Sequence, residues 1–108
     1  MTVQEAFTKI KTHLLIQNAR AQTKYGTCRL YTPDGLKCAV GCLIPLEEYD
    51  VDYENQHVST YYKKVSTLKS LPLEFLVEMQ SLHDNVPPAK WKEALEQYES
   101  GNKTFLVT

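Results

Sequence analysis

Apolar residues recur along the first fifth of the chain at the spacing of one helix face. Val3, Phe7, Ile10, Leu14 and Ala21 form a stripe that Ala6, Leu15 and Ile16 widen, while Lys9, Lys11, Thr12 and Gln17 take the other side. The pattern predicts an amphipathic helix over residues 2–22. Thr2 followed three residues later by Glu5 is a capping box that starts it. At Gly26-Thr27 the period changes. Cys28-Arg29-Leu30-Tyr31-Thr32 alternates in strand fashion, Pro33-Asp34-Gly35 is a turn signal, and Leu36-Lys37-Cys38 returns. The reading is a small β-hairpin over Cys28–Cys38 that must pack on helices, because two strands alone are marginal. Residues 38–44 are short and apolar, so a buried strand and a buried helix are both open. The small residues Ala39, Gly41 and Cys42 favour the helix.

Beyond Pro45, Leu46–Tyr49 reads as a single helical turn and residues 50–57 as an exposed acidic loop. A short helix is expected around Tyr61, Tyr62 and Val65. Pro72 suits the first position of a further helix, marked by Leu73, Leu76, Val77, Met79, Leu82 and His83. Pro87-Pro88 ends it and begins the last helix, whose apolar face is Trp91, Ala94, Leu95 and Tyr98, with Gly101 as the residue after its C-cap. Phe105, Leu106 and Val107 tip a tail. The expected architecture is a single domain over residues 1–108, mainly α: a compact bundle of about four helices with one small hairpin. Phe7 and Trp91 should be buried.

Composition narrows the function classes. Of the 108 residues, 43% are hydrophobic and 23% charged, an ordinary globular balance. Twelve Lys and Arg against thirteen Asp and Glu give a net charge of −1, which lacks the basic excess of a dedicated nucleic-acid binder. No run of 18 apolar residues is present, so no membrane span is expected. No basic and apolar leader opens the chain, so the expected setting is cytoplasmic. Three cysteines are an odd number, and in that setting they read as free thiols.

The densest stretch runs from Cys28 and Tyr31 through Gly35-Leu36-Lys37-Cys38-Ala39-Val40-Gly41-Cys42-Leu43-Ile44-Pro45 to Glu47 and Tyr49. Leu82-His83-Asp84 and Trp91 follow it. Together these resemble a family of small uncharacterised proteins of bacteriophages and prophage-bearing bacteria, with a Lys-Cys-Ala-Val-Gly core and a downstream His-Asp. Leu46 stands where that family has Asp. The resemblance implies a phage-encoded protein in the host bacterial cytoplasm, and brings no activity with it.

Four sets of residues could carry chemistry. Cys38, His83 and Asp84 could serve as nucleophile, base and orienting acid, since a Cys at a helix N-terminus beside Lys37 is in a setting that favours thiolate. His83 also lies on the apolar stripe of its own helix, where a core histidine would sit. Cys28, Cys38, Cys42 and His83 offer a zinc-type donor set, though with only one short Cys pair; packed thiols are the simpler account. Arg29, Tyr31, Lys37 and Tyr49 combine phosphate-fitting donors with stacking surface, which suits a small nucleotide-like ligand or a loop of a host protein. The acidic run from Glu47 to Glu54 lacks the glycine and ligand spacing of a calcium loop and reads as solvated charge. The expectation is an accessory protein that acts by binding, for host takeover or defence evasion, with no cofactor. A cysteine-dependent hydrolase or transferase and a zinc-stabilised module are the alternatives. Seven tyrosines and the apolar tail offer surface for a second copy.

Overall fold

A computed structural model describes residues 1–102. Its helices are α1 (Val3–Gln17), α2 (Val58–Tyr61), α3 (Leu73–Asn85) and α4 (Trp91–Glu99), linked by short 3-10 turns. The mainly α expectation holds. No helix among the described residues is long and apolar enough to cross a membrane.

The N-terminus of α1 forms as its sequence dictates. The Thr2 hydroxyl accepts the Glu5 N–H at 3.1 Å and the Glu5 carboxylate accepts the Thr2 N–H at 2.9 Å. Ala6, Phe7, Ile10 and Leu14 are buried along one face. The helix ends at Gln17, short of the expected residue 22. Asn18 adopts a left-handed conformation (φ 51°) that Asn tolerates better than most residues, and its N–H closes on the Leu14 carbonyl. Ala21 is fully buried, but beyond the end of the helix.

The expected hairpin is replaced by two turns, each closed by an isolated bridge: Gln22 with Cys28, and Tyr31 with Lys37. Gly26 (φ 86°) and Gly35 (φ 90°) make the turns possible. No strand is present among the described residues, and the reason is where the backbone bonds go. The Leu30 and Tyr31 N–H groups donate to the Glu54 carboxylate. Lys37 N–H donates to Gln17 Oε1, while the Lys37 carbonyl accepts from Gln17 Nε2. The bonds of the second bridge are made, Cys38 N–H to the Leu30 carbonyl and Thr32 N–H to the Leu36 carbonyl. The Leu30 N–H, however, goes to Glu54 and the Leu36 N–H to the Thr32 hydroxyl, so the ladder does not extend.

Residues 38–44 form one turn and a 3-10 segment at Gly41–Leu43, in place of the helix expected there. A Cβ on Gly41 would lie 2.2 Å from the Leu30 carbonyl oxygen, so this glycine allows the backbone crossing. Ile44 is extended, as the residue before proline prefers. Leu46–Glu48 makes the expected single turn, here 3-10.

At the C-terminal end, Pro72 is the N-cap of α3 rather than its first helical residue. Trp91 is fully buried and donates its indole N–H to the Val86 carbonyl at 2.8 Å. Helix α4 packs on α1 and α3; the Tyr98 ring stacks against Phe7 with centroids 5.7 Å apart. The N–H groups of Gly101 (φ 93°) and Asn102 close on the Tyr98 and Gln97 carbonyls, a Schellman ending. The expected tail residues Phe105, Leu106 and Val107 lie outside the described residues.

Candidate functional site

The site starts from a buried carboxylate. Glu54, read from sequence as part of a solvated acidic run, is 8% exposed. Its Oε1 accepts the Leu30 N–H at 2.8 Å, and its Oε2 accepts the Tyr31 N–H at 3.1 Å and the Tyr49 hydroxyl at 2.5 Å. These bonds join the 50–57 segment to the 28–31 segment. Burial, then the Glu54 bond and charge, push the Tyr49 hydroxyl up to about 12. Tyr49 and Tyr31 stack face to face (4.3 Å, 5°), and the Lys37 ammonium lies 4.9 Å above the Tyr31 ring. The Tyr31 hydroxyl donates to the Ile44 carbonyl.

Arg29 completes this group, close enough to the Tyr49 hydroxyl to oppose part of its rise. Its Nε lies 3.8 Å from Glu54 Oε2, beyond hydrogen-bonding distance, and this buried nitrogen has no hydrogen-bond partner. Glu54 already has three donors without it. The fold therefore brings Arg29, Tyr31, Lys37 and Tyr49 together. Of these, Arg29 alone lines the neighbouring cleft.

That cleft, about 360 Å³, runs between the 28–30 segment, the 53–58 segment and one face of α3. Its chemistry is mixed: the Arg29 guanidinium and the Asp84 carboxylate, polar Gln80, Ser81 and Asn85, and an aromatic wall from Tyr53 and Tyr61. The two wall rings stack at 4.8 Å and 13°. The volume falls at the small end of the roughly 300–1,000 Å³ typical of small-molecule sites.

Behind the cleft, His83 is fully buried. Its Nε2 accepts the Ala21 N–H at 3.1 Å, so the ring proton is on Nδ1 and is donated to Asp84 Oδ1 at 2.7 Å. Gln80 Nε2 donates to the same oxygen at 2.9 Å, while Gln80 Oε1 accepts the Val40 N–H. Burial first, then the nearby Asp84 carboxylate, raise the Cys28 thiol to about 11. Asp84 Oδ1 is thus held by two donors, and the carboxylate is left part-exposed at the cleft wall.

The cysteines divide. Cys38 is fully buried, and its sulfur accepts the Gly41 N–H. Burial pushes its thiol far above the ordinary value despite that bond. The helix whose N-terminus was to favour a Cys38 thiolate does not form, and both His83 nitrogens are engaged elsewhere. The arrangement gives Cys38 no base. Cys42 donates to the Ala39 carbonyl and is raised by burial to about 12.

Cys28, His83 and Asp84 place ligand-type atoms within 4.8 Å of one another; Cys38 and Cys42 are not in that group. A cation on His83 Nδ1 would require the ring proton on Nε2, facing the Ala21 N–H head-on. The trio therefore suits a hydrogen-bonded cluster better than a metal centre.

Glu54 and Gln80 were missed from sequence. Glu54 looks the same as its acidic neighbours, and only the loop closure that aims it at the Leu30 and Tyr31 N–H groups distinguishes it. No family model, curated protein or solved structure matches this chain.

Proposed function

We propose that the protein acts by binding, and that its cleft takes a small anionic ligand of the mononucleotide class. The observation that carries this reading is Arg29. Arg29 lines a concave site with its side chain part-exposed, its Nε is buried without a hydrogen-bond partner, and the neighbouring Glu54 has its donors already. A planar guanidinium in that position fits a phosphate or carboxylate with charge-assisted bonds. Tyr53, half-buried and stacked over the buried Tyr61, adds aromatic surface to the lining, which suits a base. Cleft size supports a mononucleotide over anything larger. The resemblance of the Gly35–Pro45 stretch to phage proteins supports a phage-encoded accessory role in the host cytoplasm, in host takeover or defence evasion.

Isothermal titration calorimetry with AMP, GMP, CMP and UMP tests the reading. At least one should bind, and Arg29→Ala should weaken it about 10- to 100-fold, the loss of a charged hydrogen-bonding group. Circular dichroism confirms that the variant is folded. Absence of heat for all four at millimolar concentration, or equal binding by folded Arg29→Ala, overturns it. In the first case a host protein becomes the partner to seek.

A further inference from the structure

Resting on the mononucleotide reading, we infer that the cleft selects a base carrying an amino group beside an unprotonated ring nitrogen, as adenine and cytosine do, and disfavours the oxo-and-N–H edge of hypoxanthine, guanine or uracil. The inference comes from hydrogen-bond capacity on one face of α3. An ionised carboxylate has about four acceptor positions. Two donors, Gln80 Nε2 and His83 Nδ1, both fall on Asp84 Oδ1. The other carboxylate oxygen accepts no hydrogen bond from the described residues, and the side chain lines the cleft and is 33% exposed. As a carboxylate oxygen it can accept an N–H and has no proton to give.

Ser81 lies one turn before Asp84, three residues away, so the two side chains are neighbours on the helix surface. Its hydroxyl oxygen accepts the Asn85 Nδ2 at 3.1 Å, which leaves its own proton to donate. Ser81 and Asp84 both line the cleft. Side by side they present a donor and an acceptor. The complement is an acceptor beside a donor: a bare ring nitrogen next to an amino group. Exchanging amino for oxo, with a proton moving to the ring nitrogen, reverses both positions. It sets a carbonyl oxygen against the Asp84 carboxylate, and that repulsion carries the discrimination, since the Ser81 hydroxyl keeps a second lone pair and can turn to accept an N–H. Sites built around hydrogen bonds reject mismatched partners because buried polar groups are left unpaired.

AMP and IMP differ by this exchange alone, so calorimetry with the wild-type chain is the direct test. AMP should bind about tenfold or more tightly than IMP, the worth of roughly one misplaced hydrogen bond. In Asp84→Asn, the Oδ1 can still accept from His83 and Gln80 while an amide N–H faces the cleft, and the AMP preference should shrink or invert. Equal binding of AMP and IMP by the wild type, with both weakened in Arg29→Ala, overturns the base-edge inference and leaves the anion site standing. Failure of AMP, IMP, GMP, CMP and UMP alike overturns the mononucleotide reading and this inference with it, whereas binding of GMP or UMP without AMP or CMP overturns this inference alone. The wild-type comparison decides the matter even where Asp84→Asn does not fold.

Discussion

Removing the Glu54 carboxylate should cost this protein more than any other single surface-loop change. In Glu54→Ala the Leu30 and Tyr31 N–H groups lose their acceptors. So does the Tyr49 hydroxyl, and Arg29 loses its only counter-charge within 4 Å among the described residues. A buried donor left unpaired costs about 1–3 kcal/mol; the Leu30 N–H is buried while the Tyr31 N–H and Tyr49 hydroxyl are part-buried and can reach water, so the total falls toward the low end, about 3–5 kcal/mol. For a domain of this size that is a fall in Tm of about 12–20 °C, at about 4 °C per kcal/mol. Glu54→Gln separates charge from geometry. Its carbonyl can keep one backbone donor while its NH2 faces the other, so the expected cost is about 1–3 kcal/mol. Urea and thermal unfolding followed by circular dichroism measure both variants. If Glu54→Ala stays within about 1 kcal/mol of the wild type, or is no worse than Glu54→Gln, the carboxylate is not the tie between the two segments and the reasoning fails.

Smaller perturbations check other joints. Thr2→Ala removes the capping box and should lower stability by about 1 kcal/mol, measurable by the same unfolding curves. Gly41→Ala sets a Cβ 2.2 Å from the Leu30 carbonyl and should cost about 3 kcal/mol. Gly35→Ala, with open space but φ of 90°, should cost about 1–2 kcal/mol. Thermal melts from pH 7 to 11 should show stability falling above about pH 9. Cys28 is raised from 9.0 to about 11 and Tyr49 from 10.0 to about 12, so the folded form holds these protons more tightly than the unfolded chain. Their contribution is complete below the unfolded values and is lost as pH rises toward the folded ones. Iodoacetamide should label Cys28 slowly at pH 8, and Cys38 only on unfolding; rapid Cys38 labelling of the native protein would contradict its burial.

Helices were legible wherever a capping signal met a periodic stripe. Thr2 and Glu5 start α1 and the 7-10-14 spacing carries it, while Pro72, Pro87 and Gly101 bracket the last two helices. The end of α1 was the exception. Its stripe continues through Ala21, but Asn18 turns the backbone left-handed, and Ala21 reaches the core from the segment beyond the helix instead. The hairpin failed for a different reason. Alternation in Cys28–Thr32 suggests a strand, yet Glu54 takes the Leu30 and Tyr31 N–H groups, and Gln17 takes both backbone groups of Lys37 on the returning arm. These are long-range contacts, twenty or more residues away, that local pattern cannot carry. The same limit hid the site. Arg29, Tyr31, Lys37 and Tyr49 were readable as one chemical set because they are close in sequence. The link from Cys28 to Asp84, and the His83 tautomer set by the Ala21 N–H, depend on α3 packing beside the 18–30 segment. Cys38 drew notice through its motif, but its role is to fill the core where the chain crosses at Gly41.

The cleft as a ligand site is tested most directly by an ¹H–¹⁵N correlation spectrum of the wild-type protein titrated with AMP. The account predicts saturable shifts concentrated on the amides of Leu30, Asn55, Ser81 and Asn85 around the cleft wall, with the outer face of α1 at Gln4 and Thr8 unmoved. A spectrum unchanged at millimolar AMP, or shifts confined to the α1 face, would contradict it.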